Sequence, residues 1–204
     1  QQQIQTERER ISRELHDNIG AQLSFIISNI DWTIDSAESI TKDEGKQRLT
    51  SINATAKNVM GNLRESIWAL NKEKITLEEF ADKLKAYIQN IIVLKPELEF
   101  ISHENIKTNI TFSPTETLNI FRICQEVINN VLKHASATCL KIFIASDAEQ
   151  KFSILIEDNG KGFDVSGSMR GYGLENIKYR AAEMKLNLNV QSQPAKGTSV
   201  SINK

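Results

Sequence analysis

The chain has 204 residues, of which 40% are hydrophobic and 25% are charged, so it can form one or two domains with a real core. Its 25 basic and 26 acidic residues give a net charge of −1, which argues against direct nucleic-acid binding. No apolar run reaches the roughly 18–20 residues of a membrane span, and no signal peptide opens the sequence. We therefore expect a soluble protein of a reducing compartment, with Cys124 and Cys139 as buried free thiols rather than a disulfide or metal pair.

Two long amphipathic helices are predicted for the first part of the chain. The first runs from about Gln3 to Ser39, with apolar residues at steps of mostly three or four. The polar stretch SAESITKDEG, with Gly45 as a turn residue, then separates it from a second apolar stripe between Leu49 and Leu70. Two such helices joined by a short polar loop form a hairpin.

One hairpin cannot cover both apolar stripes, whereas two hairpins can do so in a four-helix bundle. We therefore predict a homodimer; the alternative is a helical arm packed on the second domain. The expected domains are a dimerising helical domain at residues 1–72 and a second domain at 75–204, with a hinge near Asn71–Ile75.

The second part mixes helices with hairpin-linked strands, which predicts an α+β sandwich. One helix has a clear start, because Ser113 can cap it and Glu116 stands at the capping-box spacing. The helices are predicted at 75–94, 113–135 and 173–184, and the strands at 98–104, 140–146, 152–158, 186–193 and 197–203.

Polar residues cluster on the helix predicted at 113–135. Glu126 and Asn130 are four residues apart and share a face, and Lys133 and His134 continue near it. A carboxylate, an amide oxygen and an ammonium group together suit a hydrated Mg²⁺ that carries phosphates. The plain alternative is an amphipathic helix with a polar flank.

Asp158 ends a predicted strand and opens the segment DNGKGF. A carboxylate there can accept a hydrogen bond from an exocyclic amine such as that of adenine. Gly160 and Gly162 let the backbone approach a ligand closely. Taken alone, the segment is equally compatible with an ordinary turn.

A second glycine-rich segment, Gly171-Tyr172-Gly173-Leu174, opens the next predicted helix. Such a turn can cradle phosphate, because free backbone amides and the helix dipole both point there. The segment lacks the signatures of a Walker A loop and of a dinucleotide-binding fingerprint. A simple helix start is the alternative.

In this order, NxxKH, DNGKGF, GYGL and the late Gly197-Thr198 resemble the N, G1, G2 and GT boxes of the Bergerat ATP-binding fold. Histidine kinases share that fold with certain chaperones, gyrases and repair proteins. The resemblance covers about residues 75–204 and implies that ATP and Mg²⁺ bind here. By this resemblance, Asn130 is a ligand of the Mg²⁺ ion and Asp158 binds adenine. Glu126 polarises a water molecule, which can also be a ligand of the metal. The other implied nucleotide-binding residues are Lys133, His134, Gly160, Gly162, Gly171, Gly173, Leu174 and Thr198.

The motif ELHDNIG in the first helix carries a candidate phosphoacceptor, His16. It follows an apolar stripe position, so its ring should reach solvent at the bundle edge, and neutral imidazole is nucleophilic. Asp17 or Glu14 can hold one ring N–H and leave the other nitrogen to attack. A lone surface histidine usually has no such role.

The wider segment ERISRELHDNIGAQLS closely resembles the H-box of sensor histidine kinases that partner response regulators with LuxR-type DNA-binding domains. This resemblance implies an ATP-dependent protein-histidine kinase that autophosphorylates His16, with Asp17 as the activating base, and passes the phosphoryl group to a regulator aspartate. We expect this fragment to be cytoplasmic and its upstream sensor region to be absent. A missing N-terminal part could anchor the full-length protein in the inner membrane.

One position departs from this family's phosphatase pattern, HDxxxQ, in which glutamine orients the hydrolytic water. Ala21 stands at the glutamine position and Gln22 follows it. One residue rotates a side chain about 100° around a helix, so we do not expect efficient dephosphorylation by the usual mechanism. Two alternative functions fit less well. A chaperone- or topoisomerase-like ATPase would share the ATP site but would not need the ELHD motif. A non-catalytic dimerisation scaffold would not need the intact ATP-binding boxes.

Overall fold

The computed structural model describes residues 2–36, 40–93, 95–165 and 172–204, and only the backbone of residues 2–18 and Tyr172. It divides into two compact units, Gln1–Glu73 and Lys74–Lys204. None of the helices in the described parts has both the length and the apolar character that a membrane span needs.

The first unit is a helical hairpin of α1 (Gln2–Asp35) and α2 (Lys42–Leu70). Its second helix begins earlier than the polar sequence suggested, because Thr41 and Glu44 form a capping box. The Glu44 N–H donates to Thr41 Oγ1 at 3.3 Å, and the Thr41 N–H donates to Glu44 Oε2 at 3.0 Å. The expectation that Gly45 marks a turn is therefore wrong, since Gly45 lies within α2.

Few side chains of the hairpin are buried. In α2 these are Val59, Ser66 and Ala69, and among the described side chains of α1 there are none. A polar contact also joins the helices: Arg48 lies 3.5 Å from the centroid of the Trp32 ring, and its Nη1 donates to Asn29 Oδ1 at 3.2 Å. Large apolar side chains remain exposed along both helices, namely Leu23, Phe25, Ile27, Ile30, Trp32, Ile34, Leu49, Met60, Leu63 and Ile67.

The second unit alternates helices and strands. Its helices are α3 (Leu77–Ile92), α4 (Pro114–Asn130), a π-helix at Val131–Ala135 and α5 (Tyr172–Glu183). Its strands are β1 (Ile75–Thr76), β2 (Glu99–Ile106), β3 (Thr111–Phe112), β4 (Cys139–Ser146), β5 (Phe152–Asp158), β6 (Asn187–Ser192) and β7 (Thr198–Asn203).

Five strands form one sheet in the order β2-β4-β5-β7-β6, parallel between β2 and β4 and antiparallel elsewhere. Alternate residues of the central strands are buried on one face, as the paired Ile142 and Ile156 are. The helices cover this face, where the Phe80 and Phe121 rings of α3 and α4 meet edge to face with centroids 6.1 Å apart. The fold class predicted from the sequence, a helical hairpin followed by an α+β sandwich, is confirmed.

Four further details differ from the predictions. The pair β1–β3 was not predicted, and Thr76 caps α3, so that this helix starts at Leu77. The helix expected at 113–135 changes to a wider π-helical turn after Asn130. Both cysteines are free, but only Cys124 is fully buried, since Cys139 is half-buried.

Candidate functional site

A cavity of about 490 Å³ lies in the second unit between α4, the π-helix, the segment after β5, the start of α5 and the strands β6 and β7. Most of its polar side chains come from α4 and the π-helix, whereas its apolar side chains come from these helices, the segment after β5, the start of α5 and the strands β6 and β7. The lining residues are Glu126, Val127, Asn129, Asn130, Val131, Lys133, His134, Ala135, Asp158, Lys161, Gly162, Phe163, Gly173, Leu174, Val190, Thr198 and Val200.

The helix α4 and its π-helical extension provide one wall. Ser113 and Glu116 form the predicted capping box, and Pro114 occupies the first turn. Asn130 is the last α-helical residue, after which the wider turn brings Lys133 and His134 to the same cavity as Glu126. Single π-turns are often found at functional sites.

Asp158, the last residue of β5, also lines the cavity and is buried. Its Oδ1 accepts the Gly160 N–H at 2.7 Å, and its carboxylate also accepts the backbone N–H and the hydroxyl of Thr198, its partner across the β5–β7 ladder. Burial raises the pKa of the Asp158 carboxyl above its usual value of 3.8, against the opposing effect of these hydrogen bonds. The buried carboxylate keeps acceptor capacity toward a ligand.

Ser192, at the end of β6, connects the walls around Asp158. Its Oγ accepts the Phe163 N–H at 2.9 Å, donates to the Gly197 carbonyl at 3.0 Å and lies 3.0 Å from Thr198 Oγ1. The Ser192 hydroxyl therefore contacts both the segment that follows Asp158 and Thr198, the strand residue that donates to the Asp158 carboxylate.

Two glycines of DNGKGF have different positions. Gly162 lines the cavity with a φ of 55°, and a β-carbon there would overlap the Gln193 carbonyl. Gly160 does not line the cavity; it is buried, and a β-carbon would overlap the Ala135 carbonyl of the π-helix. The Lys161 N–H donates to that same carbonyl at 2.8 Å, so glycine at 160 serves close packing of this segment.

The start of α5 also meets the cavity. Gly173 and Leu174 line it, and a β-carbon on Gly173 would overlap the Glu126 carboxylate. The segment therefore approaches Glu126 as closely as glycine allows. Gly171 lies outside the described residues.

His16 and Asp17 belong to α1 of the other unit, and their side chains lie outside the described residues, as does that of Glu14. Further along α1, Ala21 is exposed and Gln22 is half-buried. These two neighbours thus differ in environment, as the helical rotation between them predicts.

Sequence reasoning missed the apolar lining of the cavity. Phe163 stands in DNGKGF, but nothing in that motif predicts a role for it, and the sequence predicts Val190 and Val200 of β6 and β7 only as strand residues. They face each other across the ladder, so a fold with strand pairing was needed to find them.

The donor set at the helical wall fits a magnesium ion. Glu126 supplies a carboxylate, and Asn130 supplies an amide oxygen, both at the same open cavity, which leaves room for water and phosphate oxygens. The described residues contain no cluster of three or more acidic, histidine or cysteine ligands, so an all-protein cage is not formed there.

Comparison with known proteins agrees with this arrangement. Residues 7–75 match a histidine kinase family model of the HisKA_3 type, and residues 115–204 match the family of histidine kinase-, DNA gyrase B- and HSP90-like ATPases. Together the two matches cover well over half of the chain. The chain belongs to the histidine kinase family. Its second unit is accordingly an ATP-binding domain, as predicted.

Relatives match almost the whole of this kinase chain. The histidine-protein kinase/phosphatase DegS of Brevibacillus brevis is 25% identical over 197 residues, which are 96% of this chain and 50% of that protein. The sensor protein VraS of Staphylococcus haemolyticus is 29% identical over 204 residues, 98% of this chain and 55% of that one. The chain thus spans about half the length of these relatives.

Solved structures support the fold. The histidine kinase domain of the blue-light activated kinase from Erythrobacter litoralis matches with a TM-score of 0.61 at 15% identity, over 97% of this chain and 92% of that one. The histidine kinase AdeS of Acinetobacter baumannii matches with a TM-score of 0.55 at 14% identity, over 92% and 96%.

Proposed function

We propose that the chain is the core of a two-component sensor kinase that autophosphorylates His16 and transfers the phosphoryl group to a response-regulator aspartate. The observation that carries this proposal is the single cavity that gathers Glu126, Asn130, Lys133 and Asp158, in a chain whose first unit matches the histidine kinase family. Within this chain, residues 1–72 are the dimerisation and phosphotransfer domain, and residues 75–204 are the catalytic domain.

In the cavity, the buried Asp158 accepts the adenine amine, and Thr198 orients its carboxylate. Asn130 and Glu126 hold Mg²⁺, the latter through water, and the metal neutralises charge on the phosphates when it is bound. Lys133 and His134 approach the phosphates from the π-helix. The backbone around Gly162, Gly173 and Leu174 follows the phosphate chain, together with Gly171.

The transfer itself requires alignment more than covalent chemistry by the cavity. A neutral ring nitrogen of His16 attacks the γ-phosphorus as the bond to the β-phosphate oxygen breaks, and ADP leaves. Asp17 holds the other ring nitrogen and stabilises the proton there. The linker Asn71–Ile75 acts as the hinge that lets the second unit deliver the γ-phosphate.

The hairpin dimerises into a four-helix bundle. Support comes from its exposed Leu23, Ile30, Leu63 and Ile67, which recur along both helices and would be covered by a second hairpin. The regulator's receiver domain then docks on the bundle near His16. Its output domain is of the LuxR type, which is typical of kinases with this H-box, and the kinase itself does not bind nucleic acid.

The full-length protein carries an upstream sensor region, and the fragment works in the cytoplasm. Support comes from the relatives, which are about twice as long and include proteins named sensors.

The experiment is incubation of the chain with [γ-³²P]ATP and Mg²⁺. Label should appear on the native chain, be stable to base and labile to acid, and be lost completely in His16→Gln. Asn130→Asp should also remove labelling while the circular dichroism spectrum stays native, because it changes charge and donor capacity at the metal. ATP hydrolysis without a labelled protein would instead identify another Bergerat ATPase, and binding without either reaction would identify a scaffold.

A further inference from the structure

A buried polar contact fastens α5 to α4 away from the cavity. Asn119 of α4 is only 7% exposed, and its Oδ1 accepts a hydrogen bond from Arg180 Nη1 of α5 at 3.0 Å. Its Nδ2 contacts the Met184 sulfur at 3.6 Å. A buried amide needs such partners, so sliding α5 along α4 would separate Asn119 from both of them.

The same two helices meet again at the cavity, where Gly173 lies against Glu126. Glu126 follows Asn119 by seven residues, and Arg180 follows Gly173 by seven. Seven residues are about two helical turns, or roughly 10.5 Å, and return to the same helix face. The two contacts are therefore the two ends of one antiparallel interface, with the buried Ile177 of α5 between them.

We propose that Asn119 and Arg180 are positioning residues that set the register of α5 on α4. The register places the Gly173 backbone against the Glu126 carboxylate, and thereby shapes the phosphate end of the nucleotide cavity. This inference rests on the proposed ATP site. Apolar contacts such as Ile177 tolerate small slides, whereas a directional hydrogen bond selects one register.

The first test compares ATP and adenosine affinities by calorimetry. Asn119→Ala should weaken ATP binding about tenfold and leave adenosine binding within about twofold, since adenosine lacks phosphates. Asn119→Asp can still accept a hydrogen bond from Arg180 and should therefore restore the native ratio of ATP affinity to adenosine affinity. Tyr179→Phe is the matched control, because it removes a hydrogen bond to Glu183 from the exposed side of the same helix. If Asn119→Ala does not fold, Arg180→Met tests the same contact.

The second test is a double-mutant cycle with Gly173→Ala, measured on ATP affinity. Gly173→Ala alone should reduce affinity by about 30-fold or more, because the new β-carbon displaces the Glu126 carboxylate. In the Asn119→Ala background the same change should cost less than about fivefold, since α5 is then free to shift. Additive losses, or equal losses for ATP and adenosine, would overturn the positioning role. Neither readout needs His16, so a failed kinase assay remains a separate result.

Discussion

The helical hairpin and the α+β unit of this chain differ in how far they bury their apolar side chains. Ten of the twelve large apolar side chains that are exposed among the described residues belong to the hairpin, and only Val93 and Tyr179 belong to the second unit. The second unit instead buries its apolar residues between one sheet face and its helices. In α2 only Val59, Ser66 and Ala69 are buried.

This difference indicates that the two units reach stability by different routes. Burial of apolar surface stabilises by about 25 cal/mol per Å², and the second unit obtains this within one chain. The hairpin leaves comparable side chains in water and can bury them only against another surface. A mutation of an exposed residue should therefore affect the hairpin's assembly, whereas the second unit should respond mainly to changes at buried residues.

The largest expected effect comes from Leu63→Asp. The side chain is 36% exposed in the single chain, and in a dimer the new carboxylate would be buried without a partner. Such a charge costs about 3 kcal/mol or more, which weakens dimerisation about 100-fold or more. Sedimentation velocity should show monomers, while nucleotide affinity of the second unit stays native.

The control for this variant is Asn58→Asp, which adds the same charge at an exposed polar position of the same helix. It should remain dimeric. An unchanged dimer in Leu63→Asp would remove this residue from the interface and would favour the helical arm over the four-helix bundle.

Asp158→Asn should have the next largest effect, confined to the second unit. The amide presents an N–H where adenine requires an acceptor, and a mismatched buried contact costs about 1–3 kcal/mol, or about 5–150-fold in ATP affinity. Transfer from already phosphorylated His16 to a regulator should stay native, because it does not use adenine. Unchanged affinity in a calorimetric titration would contradict the assignment.

The Asp158→Asn variant also tests how the stability of the nucleotide-free chain depends on pH. Burial raises the pKa of the Asp158 carboxyl, so the folded unit favours the protonated form. The protonated Asp158 carboxyl therefore adds to the free energy of unfolding. This contribution is fully present below the unfolded-chain pKa of 3.8 and is lost as pH rises through the higher pKa of the folded chain. Asp158→Asn should thus melt higher than the native chain by a margin that grows above about pH 4 and then levels off.

How far the sequence predicted each unit follows from the range of the interactions involved. Capping boxes and periodicity are local, so the helices of both units could be predicted from spacing, whereas the roles of Glu126, Asn130 and Asp158 are implied only by the resemblance of their motifs, taken in order, to the Bergerat boxes. The prediction that Gly45 marks a turn failed because Thr41 caps α2 before it, and glycine within a helix costs only about 1 kcal/mol.

Features that depend on contacts distant in sequence could not be predicted. The pairing of β1 with β3, the packing of Gly160 on Ala135 and the contact of Asn119 with Arg180 each join residues far apart in the chain. The π-helical turn was missed for a related reason. Its residues have ordinary helical character, and no local signal separates them from α4.

Ala21→Gln tests whether chemistry on the hairpin depends on the helix face. Glutamine at the exposed position 21 should orient a water for hydrolysis of the phospho-regulator and raise its dephosphorylation about tenfold without faster autophosphorylation. The native chain should be slow, and Gln22→Ala should not make it slower. The measurement is loss of label from purified phospho-regulator with ADP present. Fast loss with the native chain, abolished in Gln22→Ala, would mean that the half-buried Gln22 performs this role.

The smallest expected effect belongs to Ser192→Ala in the second unit. The hydroxyl holds the Phe163 N–H and contacts Thr198, so its loss removes hydrogen bonds worth about 0.5–1.5 kcal/mol and should weaken ATP binding about 2–12-fold. Ser199→Ala is the matched control, because its hydroxyl donates at 3.3 Å to Glu157, away from this network. Dimerisation should stay native in both variants, since neither residue belongs to the hairpin.

Equal ATP affinities for Ser192→Ala and Ser199→Ala, measured by calorimetry at one salt concentration, would show that the Asp158 carboxylate keeps its orientation without Ser192. In that case the backbone N–H groups of Gly160 and Thr198, together with the Thr198 hydroxyl, would suffice to hold it.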